Sequence, residues 1–241
     1  MGERRVIGVL GGLGPAATVD FYAKLVAATP ALRDQDHIHV IIDADPSTPN
    51  RNEAVAGVGP SPEPQLVGMA TRLAAAGAEA LFMVCNTAHA YAPAIRAAVA
   101  VPLVSIIEET AAATLAAAPN ARRVGVLAAA GAQDARLYQT EFARHGVNVV
   151  EPHGELRERF MALLYRVKAG DTGQGARSDM RAIALELVGL GAEAVVAGCT
   201  EVPLVLAQAD VGSVPLVSST DALVSAAVAI GTGARPPVDE R

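Results

Sequence analysis

The stretch Gly77-Ala78-Glu79-Ala80 recurs 114 residues later as Gly191-Ala192-Glu193-Ala194, and in each copy a cysteine follows the glycine by eight residues. These cysteines are Cys85 and Cys199. Two further matches keep the same order and nearly the same spacing: Val101-Pro102-Leu103-Val104-Ser105 with Val214-Pro215-Leu216-Val217-Ser218, and Arg5-Val6-Ile7-Gly8-Val9-Leu10 with Arg123-Val124-Gly125-Val126-Leu127. Ordered self-similarity of this kind indicates an internal duplication.

Each half alternates short β-branched runs with longer alanine-rich stretches of helical period, which is typical of βα units around a parallel sheet. The pattern predicts an α/β fold of two similar domains with mainly parallel sheets, related by a pseudo-twofold, with the active site in the cleft between them. We expect residues 1–105 plus 218–241 to form the first domain, because a C-terminal helix returns to it, and residues 106–217 the second. Strands are predicted at 5–10, 38–43, 80–84, 101–104, 123–127, 147–150, 194–197 and 214–217.

Three predicted helices end at a glycine, which suits the left-handed position that closes a helix. They cover 63–76, 133–145 and 176–190, and the glycines are Gly77, Gly146 and Gly191. The segment 57–64 carries two glycines and three prolines and is predicted to be a loop.

Composition excludes several classes of protein. Of 241 residues, 51% are hydrophobic and 18% charged, and the net charge of -6 fits a folded chain with no basic nucleic-acid surface. Aromatic residues are only 3%, so platforms for stacking bases are scarce. The longest stretch without a charged residue, 80–95, is too short and too polar to span a membrane. Two cysteines and no charged-then-apolar leader predict a reducing, cytoplasmic compartment.

Both cysteines come at the carboxyl ends of predicted strands, where ligands bind in sheets of this kind. Free cysteines are often plain core residues, but small polar residues follow each one here: Asn86-Thr87 and Thr200-Glu201. Zinc binding is disfavoured because no CxxC pair exists and only His37 and His39 have a close spacing, which fits a half-exposed strand. A redox disulfide is disfavoured because the two thiols should lie a substrate's width apart.

Acid–base chemistry fits the two thiols better. A helix beginning near Thr87 would favour a thiolate at its N-terminus, so one sulfur could act as a base while the other acts as an acid. Two such groups on opposite faces of one carbon remove a proton from one side and return it on the other. The pattern therefore favours a two-base stereoinversion.

Two motifs carry a family resemblance: Met83-Val84-Cys85-Asn86-Thr87-Ala88-His89 and Gly198-Cys199-Thr200-Glu201-Val202-Pro203. They resemble the paired cysteine motifs of the cofactor-independent aspartate/glutamate racemases, and the form of the motifs is similar to the aspartate racemase branch. The stretch Gly11-Gly12-Leu13-Gly14-Pro15 resembles the opening glycine loop of that family, with Leu13 in place of methionine. Pro49-Asn50-Arg51 and the segment from Tyr165 to Gly170 resemble segments that supply an arginine and a lysine to the substrate site.

The resemblance implies an isomerase: a PLP-independent amino-acid racemase without a cofactor or metal, forming a homodimer. Aspartate is the favoured substrate and glutamate the second choice. It implies that Cys85 and Cys199 exchange acid and base roles. Arg51 and Lys168 would bind the side-chain carboxylate, as the bidentate geometry of arginine and the point charge of lysine allow. By the same resemblance the α-carboxylate and the rest of the substrate would meet Gly12, Leu13, Asn86, Thr87, Thr200 and Glu201. Ordinary helix capping is the alternative role for the asparagine and threonines.

Other readings stay open. Gly12-x-Gly14-x-x-Ala17 after a strand resembles a dinucleotide loop, but Pro15 removes a backbone donor and no acidic partner stands at the expected distance. The chain also departs from the family: it has Ala128-Ala129-Ala130-Gly131-Ala132 where ATxGT is usual, Ala135 where serine is common, and Ser218 where many relatives have aspartate. A related cysteine-dependent isomerase or decarboxylase, or a catalytically silent protein that binds small acids, is therefore an alternative.

Overall fold

The computed structural model describes residues 4–237, which hold eight strands in two four-stranded parallel sheets. The first sheet has the order β2-β1-β3-β4 and the second β6-β5-β7-β8, so the two halves share one topology. The strands are β1 Ile7–Gly11, β2 Val40–Ala44, β3 Ala80–Met83, β4 Leu103–Val104, β5 Arg123–Val126, β6 Asn148–Val150, β7 Ala194–Ala197 and β8 Leu216–Ser218. The predicted fold, two similar α/β domains, is confirmed.

Helices flank both sheets. Their bounds are α1 Pro15–Ala28, α2 Arg51–Val55, α3 Glu63–Ala75, α4 Ala92–Ala98, α5 Ile106–Ala117, α6 Ala130–Asp134, α7 Leu137–Arg144, α8 Gly154–Lys168, α9 Gln174–Gly189 and α10 Ser219–Gly231. Short 3-10 turns cover Asp34–Asp36, Thr87–Tyr91, Val202–Leu204 and Gln208–Asp210. No helix in residues 4–237 is long and apolar enough to cross a bilayer.

Several predicted boundaries were wrong. The strands predicted to begin at 5, 38, 101 and 214 each begin two residues later. The helix expected over 133–145 is split into α6 and α7 at Arg136, whose φ of 54° is left-handed and stops the helical hydrogen bonding. Helix α3 begins at Glu63, as predicted, and takes Pro64 into its first turn, where a missing N–H costs nothing, so the loop predicted for 57–64 ends before Glu63. Gly77 and Gly191 adopt the expected left-handed conformation, with φ of 97° and 91°.

Equivalent residues of the repeat make equivalent hydrogen bonds in the two halves. Glu79 accepts a hydrogen bond of 2.8 Å from the backbone N–H of Val6, and Glu193 accepts one of 2.9 Å from that of Arg123. The serines that end the other repeated stretch are both N-caps: Ser105 accepts from the first turn of α5, and Ser218 from that of α10. The shared topology and shared caps support the duplication.

The buried residues form three layers. One continuous apolar cluster lies between the two sheets and contains residues from α1, α5, α7 and α10, while a separate cluster covers the outer face of each sheet. Helix α10 packs against α1 and α5. This packing agrees with a C-terminal segment that returns to the first domain, although the boundaries at 105 and 217 remain a prediction, and residues 1–3 and 238–241 lie outside the described part of the chain.

Candidate active site

Cys85 directly follows the loop residue after β3, and Cys199 holds the matching position after β7. Both are free, buried thiols, with 8% and 7% of their surface exposed, and both line one cavity of about 220 Å³. Parallel strands deliver their carboxyl ends to one edge of each sheet, so the duplication brings one thiol from each half to a common space. Nine of the ten predicted site residues line this cavity.

Gly12 is the exception. It lines an adjoining cavity of about 210 Å³, and its backbone N–H donates a 2.9 Å hydrogen bond to Oγ1 of Thr18. Its φ of 76° is left-handed, and a Cβ there would lie 2.5 Å from the backbone nitrogen of Asp45. The left-handed backbone of Gly12 allows the loop to approach the chain that follows β2, and its contact with substrate stays a prediction.

Glu201 connects the second thiol to a positive charge. Glu201 is buried, with only 3% of the residue exposed, and its carboxylate accepts a 3.0 Å hydrogen bond from Sγ of Cys199. Its Oε1 forms an ion pair with Nζ of Lys168, and its Oε2 also accepts a 3.3 Å hydrogen bond from the Thr200 hydroxyl. The three predicted residues Lys168, Thr200 and Glu201 are thus parts of one network around Cys199.

Charges in this network shift two pKa values. Burial, and next the negative charge of Glu201, raise the pKa of the Cys199 thiol well above its ordinary value, while Lys168 acts in the opposite direction. For Lys168, burial disfavours the charged form, but the neighbouring Cys199 and Glu201 outweigh burial and raise the pKa. Cys199 is therefore held as a thiol and Lys168 as a cation at neutral pH.

Arg51, at the start of α2, is held by backbone oxygens. Its Nη1 donates to the carbonyls of Thr48 and Pro49 at 3.0 and 2.9 Å, and its Nη2 donates to the carbonyl of Leu13 at 2.6 Å. A guanidinium has five N–H groups, so these bonds leave two donors, including a buried Nε without a partner in the described chain. Arg51 is positioned rigidly at the cavity and retains donors for an anion.

The chain after Cys85 runs into the 3-10 turn Thr87–Tyr91, where the sequence predicts a helix start near Thr87. Asn86 occupies the N-cap position but makes no side-chain capping bond. Instead its amide accepts a 2.6 Å hydrogen bond from the hydroxyl of Tyr138 and donates one of 3.1 Å to Ser219. Helix capping is therefore not what Asn86 does in this structure.

His89 lies behind Cys85 as a fully buried imidazole. One ring nitrogen, Nδ1, lies 2.9 Å from the carbonyl of Cys85, and the other, Nε2, accepts a 3.2 Å hydrogen bond from the backbone N–H of Ile106. Accepting at Nε2 requires the neutral ring with its proton on Nδ1, which then donates to the carbonyl. Burial lowers the pKa of His89 to about 4, in agreement with a neutral ring.

The four residues that depart from the family pattern lie in different surroundings, and not all of them line the cavity that holds the thiols. Ala129 lines the cavity, so a hydroxyl there would reach it. Ala132 is buried in the core between the sheets, and Ala135 lines a different cavity, near Arg96. Ser218 caps α10. Only one of these four departures therefore changes the lining of the cavity that holds the thiols.

The sequence did not single out two residues that join the halves across this cavity. Oδ1 of Asn52 accepts a 3.0 Å hydrogen bond from the backbone N–H of Gly131, and its Nδ2 lies 3.5 Å from the hydroxyl of Tyr165. Both Asn52 and Tyr165 line the cavity. In the sequence, Asn52 stood out only as the neighbour of Arg51, and Tyr165 only as a member of the segment that contains Lys168.

The two matching sheets and the cavity with one thiol from each half define a two-domain α/β enzyme. The sequence model of the family described as Asp/Glu/Hydantoin racemase matches residues 10–227, so the chain belongs to this family and is an isomerase of the amino-acid racemase class.

Its relatives agree with this assignment. The structure is similar to Picrophilus torridus aspartate racemase, with 27% identity, a TM-score of 0.84 and coverage of 95% of this chain and 94% of that one. An aspartate racemase homologue from Pyrococcus horikoshii OT3 has 25% identity and a TM-score of 0.74 over 95% of this chain and 99% of that one. The broad specificity amino-acid racemase RacX of Bacillus subtilis (strain 168) is 23% identical over 92% of this chain and 96% of its own length.

Proposed function

We propose that the chain racemises an acidic amino acid, aspartate or glutamate, without a cofactor, and that Cys85 and Cys199 are its two catalytic residues. The observation that carries the proposal is the pair of free thiols that line one cavity at equivalent strand ends. The cavity volume of about 220 Å³ is of the size of a small amino acid with a few waters.

The two thiols have different surroundings, which suggests different first roles. Cys199 donates to Glu201 and has a raised pKa, so it begins as the acid, and Cys85 begins as the base. The Cys85 thiolate takes the proton from Cα, and the electron pair of the C–H bond becomes a carbanion that is conjugated with the α-carboxylate. The Cys199 thiol then gives its proton to the opposite face. The product is the other enantiomer, Cys85 ends as a thiol and Cys199 as a thiolate, and the reverse reaction uses the opposite roles.

Charge complementarity supports an acidic substrate. Lys168 is paired with Glu201, and the Arg51 guanidinium remains at the cavity as a cation with donors for a carboxylate. We propose that Arg51 and Lys168 receive the side-chain carboxylate, and that donors of Asn86, Thr87 and Thr200 receive the α-carboxylate, with Leu13 and Glu201 completing the wall. An uncharged substrate side chain would leave the remaining donors of Arg51 without an anion to bind.

Deuterium exchange tests the proposal. Each aspartate and glutamate enantiomer is incubated with the protein in D₂O, and loss of the Cα proton is followed by NMR together with the enantiomeric ratio. We expect exchange with inversion. Absence of exchange from all four substrates, in protein shown to be folded, would refute the proposal.

The single-cysteine variants make the test sharper. Cys199→Ala keeps only the base on one face, so we expect exchange of one enantiomer without inversion. Cys85→Ala should exchange only the opposite enantiomer. Each variant is the matched control for the other, and full racemisation by either one would contradict the two-base assignment.

A wider substrate range is a second candidate, supported by one observation. The adjoining cavity of about 210 Å³ shares Leu13, Arg51, Lys168 and Glu201 with the first, so a longer side chain has space beyond the carboxylate site. The relative RacX is named for broad specificity. Exchange measured across neutral and basic amino acids in the same D₂O assay would decide between the two candidates.

We also propose a homodimer in the cytoplasm, on the family resemblance and the pair of unbonded thiols. The molar mass in solution, measured by light scattering, tests the dimer, and a value of one chain would refute it.

A further inference from the structure

Tyr138 connects the two cysteine loops, although it lies outside the residues that line the cavity. It belongs to α7 in the second half of the chain and is completely buried. Its hydroxyl reaches Asn86, the residue after Cys85, and its ring contacts Gly198, the residue before Cys199. A single side chain therefore touches the neighbours of both thiols.

The ring of Tyr138 has little freedom to move. A Cβ at Gly198 would lie 2.9 Å from Cε2 of the ring, so only a glycine leaves room for it. The ring also stacks with Phe142, with 6.2 Å between the ring centroids. Because the ring is clamped, the direction of the hydroxyl is fixed as well.

The hydroxyl fixes the orientation of the Asn86 amide. The 2.6 Å distance from Tyr138 to Asn86 suits an O–H···O bond and is short for an N–H···O bond, whereas the 3.1 Å distance to Ser219 suits an amide N–H. The oxygen of the amide therefore faces Tyr138 and the nitrogen faces Ser219. One N–H of the amide is used by Ser219, which leaves the second as a donor on a side chain that lines the cavity.

We propose that Tyr138 is a positioning residue for catalysis, which orients the Asn86 amide so that its free N–H meets the α-carboxylate of the substrate. The inference rests on the proposed racemase function and adds a residue to it that does not touch substrate. Without the hydroxyl the Asn86 amide is held only by its hydrogen bond to Ser219, and its second N–H is less firmly directed toward the cavity.

The test is Tyr138→Phe, which keeps the ring and its contacts with Gly198 and Phe142. We expect KM for the preferred enantiomer to rise about tenfold with a smaller change in kcat, because the substrate loses the free energy of about one well-oriented hydrogen bond. Tyr22→Phe, which removes the hydroxyl of an exposed tyrosine, is the matched control and should leave both constants unchanged.

A double-mutant cycle separates positioning from general packing. In an Asn86→Ala background the Tyr138 hydroxyl has no amide to orient, so Tyr138→Phe should have no further effect on kcat/KM. If the two effects multiply instead, Tyr138 acts by another route and the proposal is wrong. Equal KM in wild type and Tyr138→Phe would also overturn it.

Ser219→Ala provides the same test from the other end of the amide and decides the matter if Tyr138→Phe does not fold. We expect a rise in KM, coupled to Asn86 in the same way, and an unchanged KM would overturn the proposal. A wild-type protein that exchanges no substrate would refute the proposed function, whereas an active wild type with uncoupled variants refutes only the role of Tyr138.

Discussion

The thiol of Cys199 donates a 3.0 Å hydrogen bond to Oε2 of Glu201, a buried carboxylate whose other oxygen is paired with Lys168. A buried anion next to a thiol disfavours the thiolate, so the proton stays on sulfur until a stronger base, such as a carbanion at Cα, takes it. The two halves of the repeat have therefore diverged at their most important positions, because Cys85 is followed by Asn86 and Thr87 and has no carboxylate at the matching place.

Glu201→Gln should lower the pKa of the Cys199 thiol, because it removes a negative charge and leaves the Lys168 cation in place. In a Cys85→Ala background, we expect alkylation of Cys199 by iodoacetamide at pH 7 to accelerate by about tenfold. The exposed Glu158→Gln is the control and should have no effect. An unchanged or slower reaction would show that Glu201 does not govern this thiol.

Gly131→Ala should impair the packing of the two halves at the site. A Cβ at Gly131 would lie 2.7 Å from Cγ2 of Thr87 and 2.9 Å from Oδ1 of Asn52, both in the other half of the chain. We expect kcat/KM to fall by at least about tenfold and stability by about 1–3 kcal/mol. Gly189→Ala, where a Cβ meets no atom within 4 Å, is the matched control. Equal activity in both variants would contradict the close contact.

Ala129→Ser returns one hydroxyl to the cavity, and we expect it to strengthen binding of an acidic substrate. A single added donor should lower KM for aspartate by about three- to tenfold. Ala132→Ser is the matched control, because its side chain is buried in the apolar core and an added hydroxyl there should only destabilise the fold. If the two serine variants have the same KM as wild type, Ala129 does not face the substrate.

The neutral state of His89 should make the fold sensitive to acid. Its pKa is about 4 in the folded protein and near 6.5 when unfolded, so the unfolded chain binds an extra proton between these values. The free energy of unfolding should therefore fall by about 3 kcal/mol as pH decreases from 6.5 to 4. Urea unfolding at several pH values measures this slope. His89→Asn should reduce the number of protons taken up on unfolding by one, which flattens the slope. His145→Asn, at an exposed position, should leave the slope unchanged.

Glu151 should act in the opposite direction. Burial raises the pKa of Glu151 to about 7, and its Oε1 and the Oε1 of Gln139 are both buried acceptors without a partner in the described chain. Nε2 of Gln139 already donates to Oε2, so a protonated Glu151 can donate back and complete a paired acid and amide. This stabilisation is present at low pH and lost as pH rises from about 4.5 to 7.

We expect the loss to be about 1–2 kcal/mol, because partial exposure to water weakens the effect. Glu151→Gln should remove it, so the variant gains stability over wild type at pH 8 but not at pH 4. Glu158→Gln, on the exposed face of α8, is the control. A constant difference between Glu151→Gln and wild type at both pH values would rule out the titration of this carboxyl.

Features with a local or repeated signal could be predicted from the sequence. The β-branched runs identified the eight strands, and the repeat identified Cys85 and Cys199 at matching strand ends because the pattern of parallel strands constrains where their ends meet. The lysine in the segment near Tyr165 also lies at the cavity, as expected.

Contacts between distant parts of the chain could not be predicted. Tyr138 is 52 residues from Asn86, and Asn52 is 79 residues from Gly131, so no local pattern connects them. The carbonyl partners of Arg51 depend on the folded loops, and the split of the predicted helix 133–145 depends on the backbone at Arg136. The contacts of Tyr138 with Asn86 and of Asn52 with Gly131 exist only once the two halves have packed together.

The position of α10 affects how the chain acquires its structure during synthesis. Residues such as Leu223, Ala227 and Ile230 share a buried cluster with Phe21 and Leu25 of α1. During synthesis the first sheet is therefore completed long before the helix that covers it. The apolar face of α1 stays exposed to solvent or to a chaperone until residue 231 has left the ribosome. Truncation before α10 should accordingly yield an aggregating chain, even though every cysteine, arginine and lysine of the site would still be present.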